Sequence, residues 1–173
     1  NISLMVKDNI DAPDYMYDVT RLLLVNNSYI SGSAVAFEPN YYQEKGHFYS
    51  PYSYRENDEI LSKQLGNKDY DYHYMDWYQI PKLLGEPYFD QGGANVIMTT
   101  YSYPLYDEEG QLFAILTADI SLEWFAEQVN SIKTYPNSFN LMIGRGGTYL
   151  VHKDTDAILN RTMFEAAMAN DDA

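Results

Sequence analysis

The stretch from residue 94 to residue 120 limits the possible folds more than any other part of the chain. Ala94–Leu105 and Gln111–Ile120 are two β-rich runs joined by Tyr106-Asp-Glu-Glu-Gly110, which reads as an antiparallel hairpin. Along the second run Phe113, Ile115, Thr117 and Asp119 share one face by the two-residue period of a strand. Leu112, Ala114, Leu116, Ala118 and Ile120 share the other. Both faces are largely apolar, so this strand is expected to be central and covered on each side. Asp119 then ends a buried face, where a carboxylate is costly without partners.

The segments around this hairpin alternate helix and strand. Asp11-Ala-Pro-Asp14 reads as a helix entry, with helix over Tyr15–Val25. Ile30–Phe37 reads as a strand containing the small residues Gly32 and Ser33. Phe48–Tyr54 is a second strand, expected at an edge or irregular because of Pro51. A short helix is expected over Glu56–Leu65 and a loop over Asn67–Tyr74. Another helix covers Asp76–Leu84 and ends at Gly85. After the hairpin, Ser121 is placed to cap a helix with Leu122, Phe125, Val129 and Ile132 at helical spacing. A second hairpin, Ser138–Ile143 with Tyr149–His152, turns through Gly144-Arg-Gly-Gly147, and Ile158–Ala169 is amphipathic.

This order describes an α+β chain with one complete domain and the start of a second. We place the first at residues 1–135 and the second at 136–173. Asn1 and Asn170-Asp-Asp-Ala173 read as fragment ends.

The net charge of −14 excludes a nucleic-acid partner and disfavours an anionic membrane surface, since only 11 Lys and Arg are scattered along the chain. No cysteine is present, which removes disulfides, thiolate metal sites and thiol catalysis. No apolar run approaches the roughly 20 residues of a membrane helix. His47, His73 and His152 are far apart and lack metal-ligand spacing, so no metal or cofactor is expected. Of 18 tyrosines, thirteen lie between Tyr41 and Tyr106, and such clusters often line sites for small polar ligands.

Asp76-Trp-Tyr78, Gly85-Glu-Pro-Tyr-Phe-Asp90, the strand Thr99–Leu105, Asp107-Glu-Glu-Gly110, Ala118-Asp-Ile-Ser-Leu122 and Gly147-Thr-Tyr-Leu-Val-His152 follow one another in an order that resembles the double-Cache family. These are tandem PAS-like sensor domains outside bacterial chemoreceptors, histidine kinases, cyclases and PP2C-type phosphatases. The resemblance implies a PAS-like antiparallel sheet flanked by helices, in a tandem arrangement whose second, membrane-proximal unit is incomplete here. It also implies a membrane-anchored parent, a periplasmic or extracellular location, and a homodimer formed through the N-terminal helix.

Carried over residue by residue, the pocket of amino-acid-binding members would fall on Tyr70, Met75, Trp77, Tyr78, Tyr88, Asp90 and Asp119, with Tyr101 on the neighbouring strand. Met75 departs from the pattern, because family members place there an Arg that grips the ligand carboxylate. Methionine cannot form those paired charge-assisted bonds. Arg55 could swing in to restore them. Two carboxylates, Asp90 and Asp119, among aromatic rings favour an amine or another small cationic metabolite as ligand. The alternative is an exported carbohydrate-active hydrolase or carbohydrate-binding module that uses the tyrosines as a sugar platform. The sensor reading expects no catalysis within this chain.

Overall fold

The computed structural model describes residues 2–57, 59–84, 88–90, 98–133, 135–144 and 146–171, with backbone alone at 88–90, 123 and 169–171. It divides into two compact units, residues 1–90 with 99–120 and residues 91–98 with 121–173.

The first unit is built on a six-stranded sheet. Its strands are β1 (Ile30–Phe37), β2 (Pro51–Glu56), β3 (Glu59–Gln64), β4 (Tyr88–Asp90), β5 (Met98–Tyr106) and β6 (Leu112–Ser121). Their order is β3-β2-β1-β6-β5-β4, and β1 pairs antiparallel with both β2 and β6. The expected hairpin therefore supplies the central strand β6, with Gly110 at φ 77° closing its turn. Asp107 Oδ1 accepts from the backbone N–H groups of Glu109 and Gln111, which fixes that turn.

The two sheet faces are buried differently. Helices α1 (Ile2–Asp8) and α2 (Tyr15–Asn26) contribute Val6, Met16 and Val19 to a core with Val35, Phe37, Tyr49, Leu105 and Ala114. On the opposite face Ala36 and Ile115 pack with Tyr72 and Tyr78, both fully buried. Tyr78 belongs to helix α3 (Asp76–Leu84), and Tyr72 opens the 3-10 turn just before it. The face assignment of β6 holds from Ala114 to Leu116. At the start of the strand it is exchanged, since Phe113 joins the helix-side core and Leu112 the tyrosine side.

Three sequence expectations change. Residues 59–64 form the edge strand β3 rather than a helix, because pairing with β2 over six positions satisfies their backbone groups. Asn57, at φ 49°, turns the chain between the two strands. β2 is consequently internal, and Pro51 is tolerated as its first residue. Arg55 points away from the tyrosine side and donates to the carbonyls of Leu24, Asn27 and Ile30, so it closes the C-terminal end of α2. The expected helix end at Gly85 and the strand start at Ala94–Ile97 lie outside the described residues.

The longer segment of the second unit opens at Ser121, whose hydroxyl accepts from the Trp124 N–H and caps helix α4 (Leu122–Ser131) as expected. β7 (Met142–Ile143) and β8 (Tyr149–Val151) form the second hairpin. Helix α5 (Met163–Asp171) starts later than expected, at a reciprocal cap. The Thr162 N–H donates to the Glu165 carboxylate, and the Glu165 N–H donates to the Thr162 hydroxyl.

Burial pushes the phenol pKa values of Tyr42, Tyr49, Tyr72 and Tyr78 well above their ordinary value near 10. The folded state therefore keeps protons that the unfolded chain releases near pH 10. This contribution to stability is complete below about pH 10 and is lost as pH rises towards the folded-state values. Urea denaturation followed from about pH 8 to pH 11 should show a falling midpoint above about pH 10, and a level midpoint would contradict this burial.

Candidate ligand-binding site

Side chains alternate along a strand, so Gly32 and Ala34 on β1, Tyr52 and Tyr54 on β2, and Asp119 on β6 are aligned on the tyrosine side of the sheet. The pairings Gly32 with Tyr54, Ala34 with Tyr52, and Gly32 with Asp119 set that alignment. Asp119 is 7% exposed. Its Oδ1 accepts from the Thr100 hydroxyl at 2.8 Å and its Oδ2 from the Tyr52 hydroxyl at 3.1 Å. Hydrogen bonds to an ionised group are the stronger kind, about 1.5–3 kcal/mol each, and they offset part of the cost of burying the charge.

Gly32 makes this arrangement possible. A Cβ at that position would lie 2.3 Å from Asp119 Oδ2 and 2.5 Å from the Tyr52 hydroxyl oxygen. The phenol and the carboxylate thus meet over a strand position that has no side chain. Burial raises the Tyr52 pKa above its ordinary value, and the nearby Asp119 charge raises it further. Tyr52 therefore remains a hydrogen donor to the carboxylate at neutral pH.

Aromatic rings flank the carboxylate. Tyr52 and Tyr54 stack with centroids 5.6 Å apart and planes at 11°. The Lys63 ammonium sits 4.7 Å from the Tyr54 ring centroid, so a cation already occupies one face of this platform. Tyr70 adds to the electrostatic environment of Tyr52, and its hydroxyl accepts from Trp77 Nε1 at 3.3 Å. Trp77 in turn stacks on the buried Tyr72 at 6.0 Å.

Of the residues carried over by resemblance, Tyr70, Met75 and Trp77 are partly buried and pack around the same Tyr72–Tyr78 cluster on this side. Tyr78 lies beneath the site. It is fully buried and donates to Glu38 Oε1 at 2.6 Å, beside the Lys82–Glu38 ion pair. Tyr88 stands opposite Ser102 and Asp90 opposite Thr100 in the β4–β5 ladder, while their side chains lie outside the described residues.

Tyr101 lies apart from this group. It alternates with Thr100 along β5 and so faces the helices, lining a cavity of about 310 Å³ with Ile2, Leu23, Tyr103 and Leu116. Tyr52, Thr100 and Gly32 were not anticipated as site residues. The alternation Tyr52-Ser53-Tyr54 and the small residues in β1 were the available signals, and neither one reveals which strands become neighbours.

Two of the histidines, distant in sequence, come together in the fold. His47 and His73 have ring centroids 5.3 Å apart, and donor atoms of His47, Asp71 and His73 all lie within 4.8 Å of one another.

Residues 16–127 match the family model described as methyl-accepting chemotaxis protein-like, first PDC sensor domain. No curated protein matches. Among solved structures, the chain is similar to an extracellular domain assigned to histidine kinase mmHK1S-Z3, with TM-score 0.78, 24% identity, and coverage of 99% of this chain and 69% of that one. It is also similar to the ligand-binding domain of the Pseudomonas aeruginosa PAO1 amino-acid chemoreceptor PctB in complex with L-Gln, with TM-score 0.57, 17% identity, and coverage of 90% and 58%. The PctC domain of the same organism in complex with GABA gives TM-score 0.55, 14% identity, and coverage of 96% and 74%. At these identities the structural likeness establishes the fold, in agreement with the Cache resemblance.

Replacing Gly32 with alanine should displace Tyr52 or Asp119 and cost about 1–3 kcal/mol in urea denaturation. Gly146→Ala, whose Cβ would meet nothing within 4 Å, should stay within about 0.5 kcal/mol of the parent protein. Equal effects from the two substitutions would contradict the packing at Gly32.

Proposed function

The chain belongs to the methyl-accepting chemotaxis protein-like first PDC sensor domain family, and from that premise we propose that it is the membrane-distal sensor of an ammonium-bearing small molecule. Asp119 accepts the ammonium, and Tyr52, Tyr54, Tyr70 and Trp77 provide aromatic walls. The carrying observation is the Asp119 carboxylate, held on the sheet face by two hydroxyl donors beside a tyrosine pair that already takes the Lys63 ammonium. L-Gln and GABA, the ligands of the two chemoreceptor domains above, share an ammonium group.

The same neighbours also carry a carboxylate on their ligands. Here Met75 stands where the resemblance would require an arginine, and Arg55 is committed to the end of α2. The reading therefore favours ligands recognised mainly through their positive group, such as simple amines.

We further assign the chain to the extracytoplasmic part of a membrane-anchored bacterial receptor, with residues 136–173 as the start of a membrane-proximal Cache repeat. The histidine kinase and chemoreceptor neighbours support this placement. Among the described residues no helix is long and apolar enough to cross a membrane. Homodimerisation through the N-terminal helix and the output activity remain part of this proposal. Since the family is one of sensor domains, a hydrolase is the less favoured reading.

A thermal-shift series with methylamine, GABA, L-Gln, acetate and glucose tests the site. An amine at about 100 times its Kd should add roughly 2.7 kcal/mol of stability, and Asp119→Asn should abolish that gain. Stabilisation by acetate or glucose alone, or an amine effect that survives Asp119→Asn, would overturn the amine assignment.

A further inference from the structure

His47 lies on the connection between β1 and β2, while Asp71 and His73 lie at the turn that opens α3. The sequence separates His47 from His73 by 26 residues, yet the fold brings their rings together on the tyrosine side of the sheet. Phe48 stacks on the His73 ring with centroids 5.8 Å apart, which holds that ring in place.

The His73 geometry has a specific chemical meaning. Nε2 is 3.2 Å from the Phe37 carbonyl oxygen, which can only accept, so Nε2 carries the hydrogen. Nδ1 then faces Asp71 Oδ1 at 2.8 Å. A proton between Nδ1 and Oδ1 satisfies this contact, and a metal ion bound by both atoms would take the place of that proton with the two atoms slightly farther apart. A backbone carbonyl that fixes the far nitrogen is the usual outer partner of a metal-binding histidine.

We propose that His47, Asp71 and His73 form a binding site for a borderline divalent transition-metal ion of the zinc type. Two imidazoles and one carboxylate are an ordinary zinc donor set, with solvent as the fourth ligand. Donor atoms on one such ion are bound at about 2.0–2.2 Å, so with all three within 4.8 Å of one another the close Asp71–His73 pair need only open slightly while His47 moves in. His47 supplies that movement. It is exposed, and its Nδ1 accepts from Asn40 Nδ2 at 3.3 Å, a long contact that side-chain rotation releases. The net charge of −14 raises the local concentration of cations.

The site also has a consequence for sensing. Asp71 and His73 flank Tyr72, on which Trp77 stacks, and Trp77 donates to Tyr70. A bound ion ties the β1–β2 connection to the turn that carries this aromatic wall. Metal occupancy therefore favours one arrangement of the wall and changes ligand affinity reciprocally. That coupling rests on the sensor reading, whereas metal binding itself does not.

Isothermal titration of the 173-residue chain with Zn²⁺ alone tests the site. One ion per chain is expected, with affinity at least about tenfold weaker in His47→Ala and unchanged in His152→Ala. His47 is exposed, so its replacement leaves the fold intact, whereas His73→Gln disturbs a buried position. Absence of saturable binding, or equal affinities for the parent chain and His47→Ala, overturns the proposal. Repeating the titration with methylamine present isolates the coupling. A Zn²⁺ affinity that is unchanged by amine removes the regulatory role without touching the metal site.

Discussion

A carboxylate at 7% exposure on the central strand of a sheet is the constraint to which the rest of this unit answers. Leaving such a charge without donors costs several kcal/mol, so its neighbours must be polar, close and oriented. Thr100 comes from the strand on one side of β6. Tyr52 reaches across β1 from the far side, and it can do so only because β1 has no side chain at Gly32. β2, β5 and β6 are thereby tied in register by one carboxylate, since a one-residue slip of β2 or β5 would turn Tyr52 or Thr100 to the helix face. The aromatic wall follows from the same requirement. Tyr52 needs its ring covered as well as its hydroxyl bonded, and Tyr54 and Tyr70 lie beside it.

The helix face of the same strands is governed by ordinary apolar packing. Val35, Phe37 and Ala114 alternate with residues of the tyrosine side and meet Met16 and Val19 of α2. On this face Arg55 closes the end of α2, and the Thr20 and Ser53 hydroxyls pair at 2.8 Å. The two faces share every backbone atom, so the rigidity of the apolar side holds the polar side in place. This division explains why a site rich in hydroxyl and carboxylate groups can keep one geometry in a chain without disulfides.

Local patterns made much of the fold legible. β1 and α3 fall on the residues that their composition indicated, and Ser121 caps α4 as its spacing required. These elements depend on residues close in sequence. β3 was not legible, because Glu59–Gln64 is an exposed edge whose polar residues suit helix or strand equally until β2 pairs with it. Asp119 was recognisable as a buried carboxylate, but its partners Thr100 and Tyr52 lie 19 and 67 residues away. Likewise nothing in the spacing of His47 and His73 shows that the fold closes them over Phe37. Long-range pairing decides such contacts, and no local propensity encodes it.

The position of Asp119 along the chain also bears on signalling. Two residues later β6 ends at Ser121, whose hydroxyl caps the first turn of α4. The carboxylate that receives the proposed ligand and the residue that starts the next helix are therefore separated by one residue, Ile120, on an extended strand. Extended backbone within a sheet has little slack, so under the proposed sensing role a change in the preferred position of Asp119 bears on the last residues of β6 through covalent geometry. Such coupling has an effect only where the ligand binds two arrangements of the strand end with different affinity. A charged ligand meets that condition when one arrangement presents the carboxylate with its hydroxyl donors intact and the other diverts those donors, because the ammonium then gains its full attraction in only one of them.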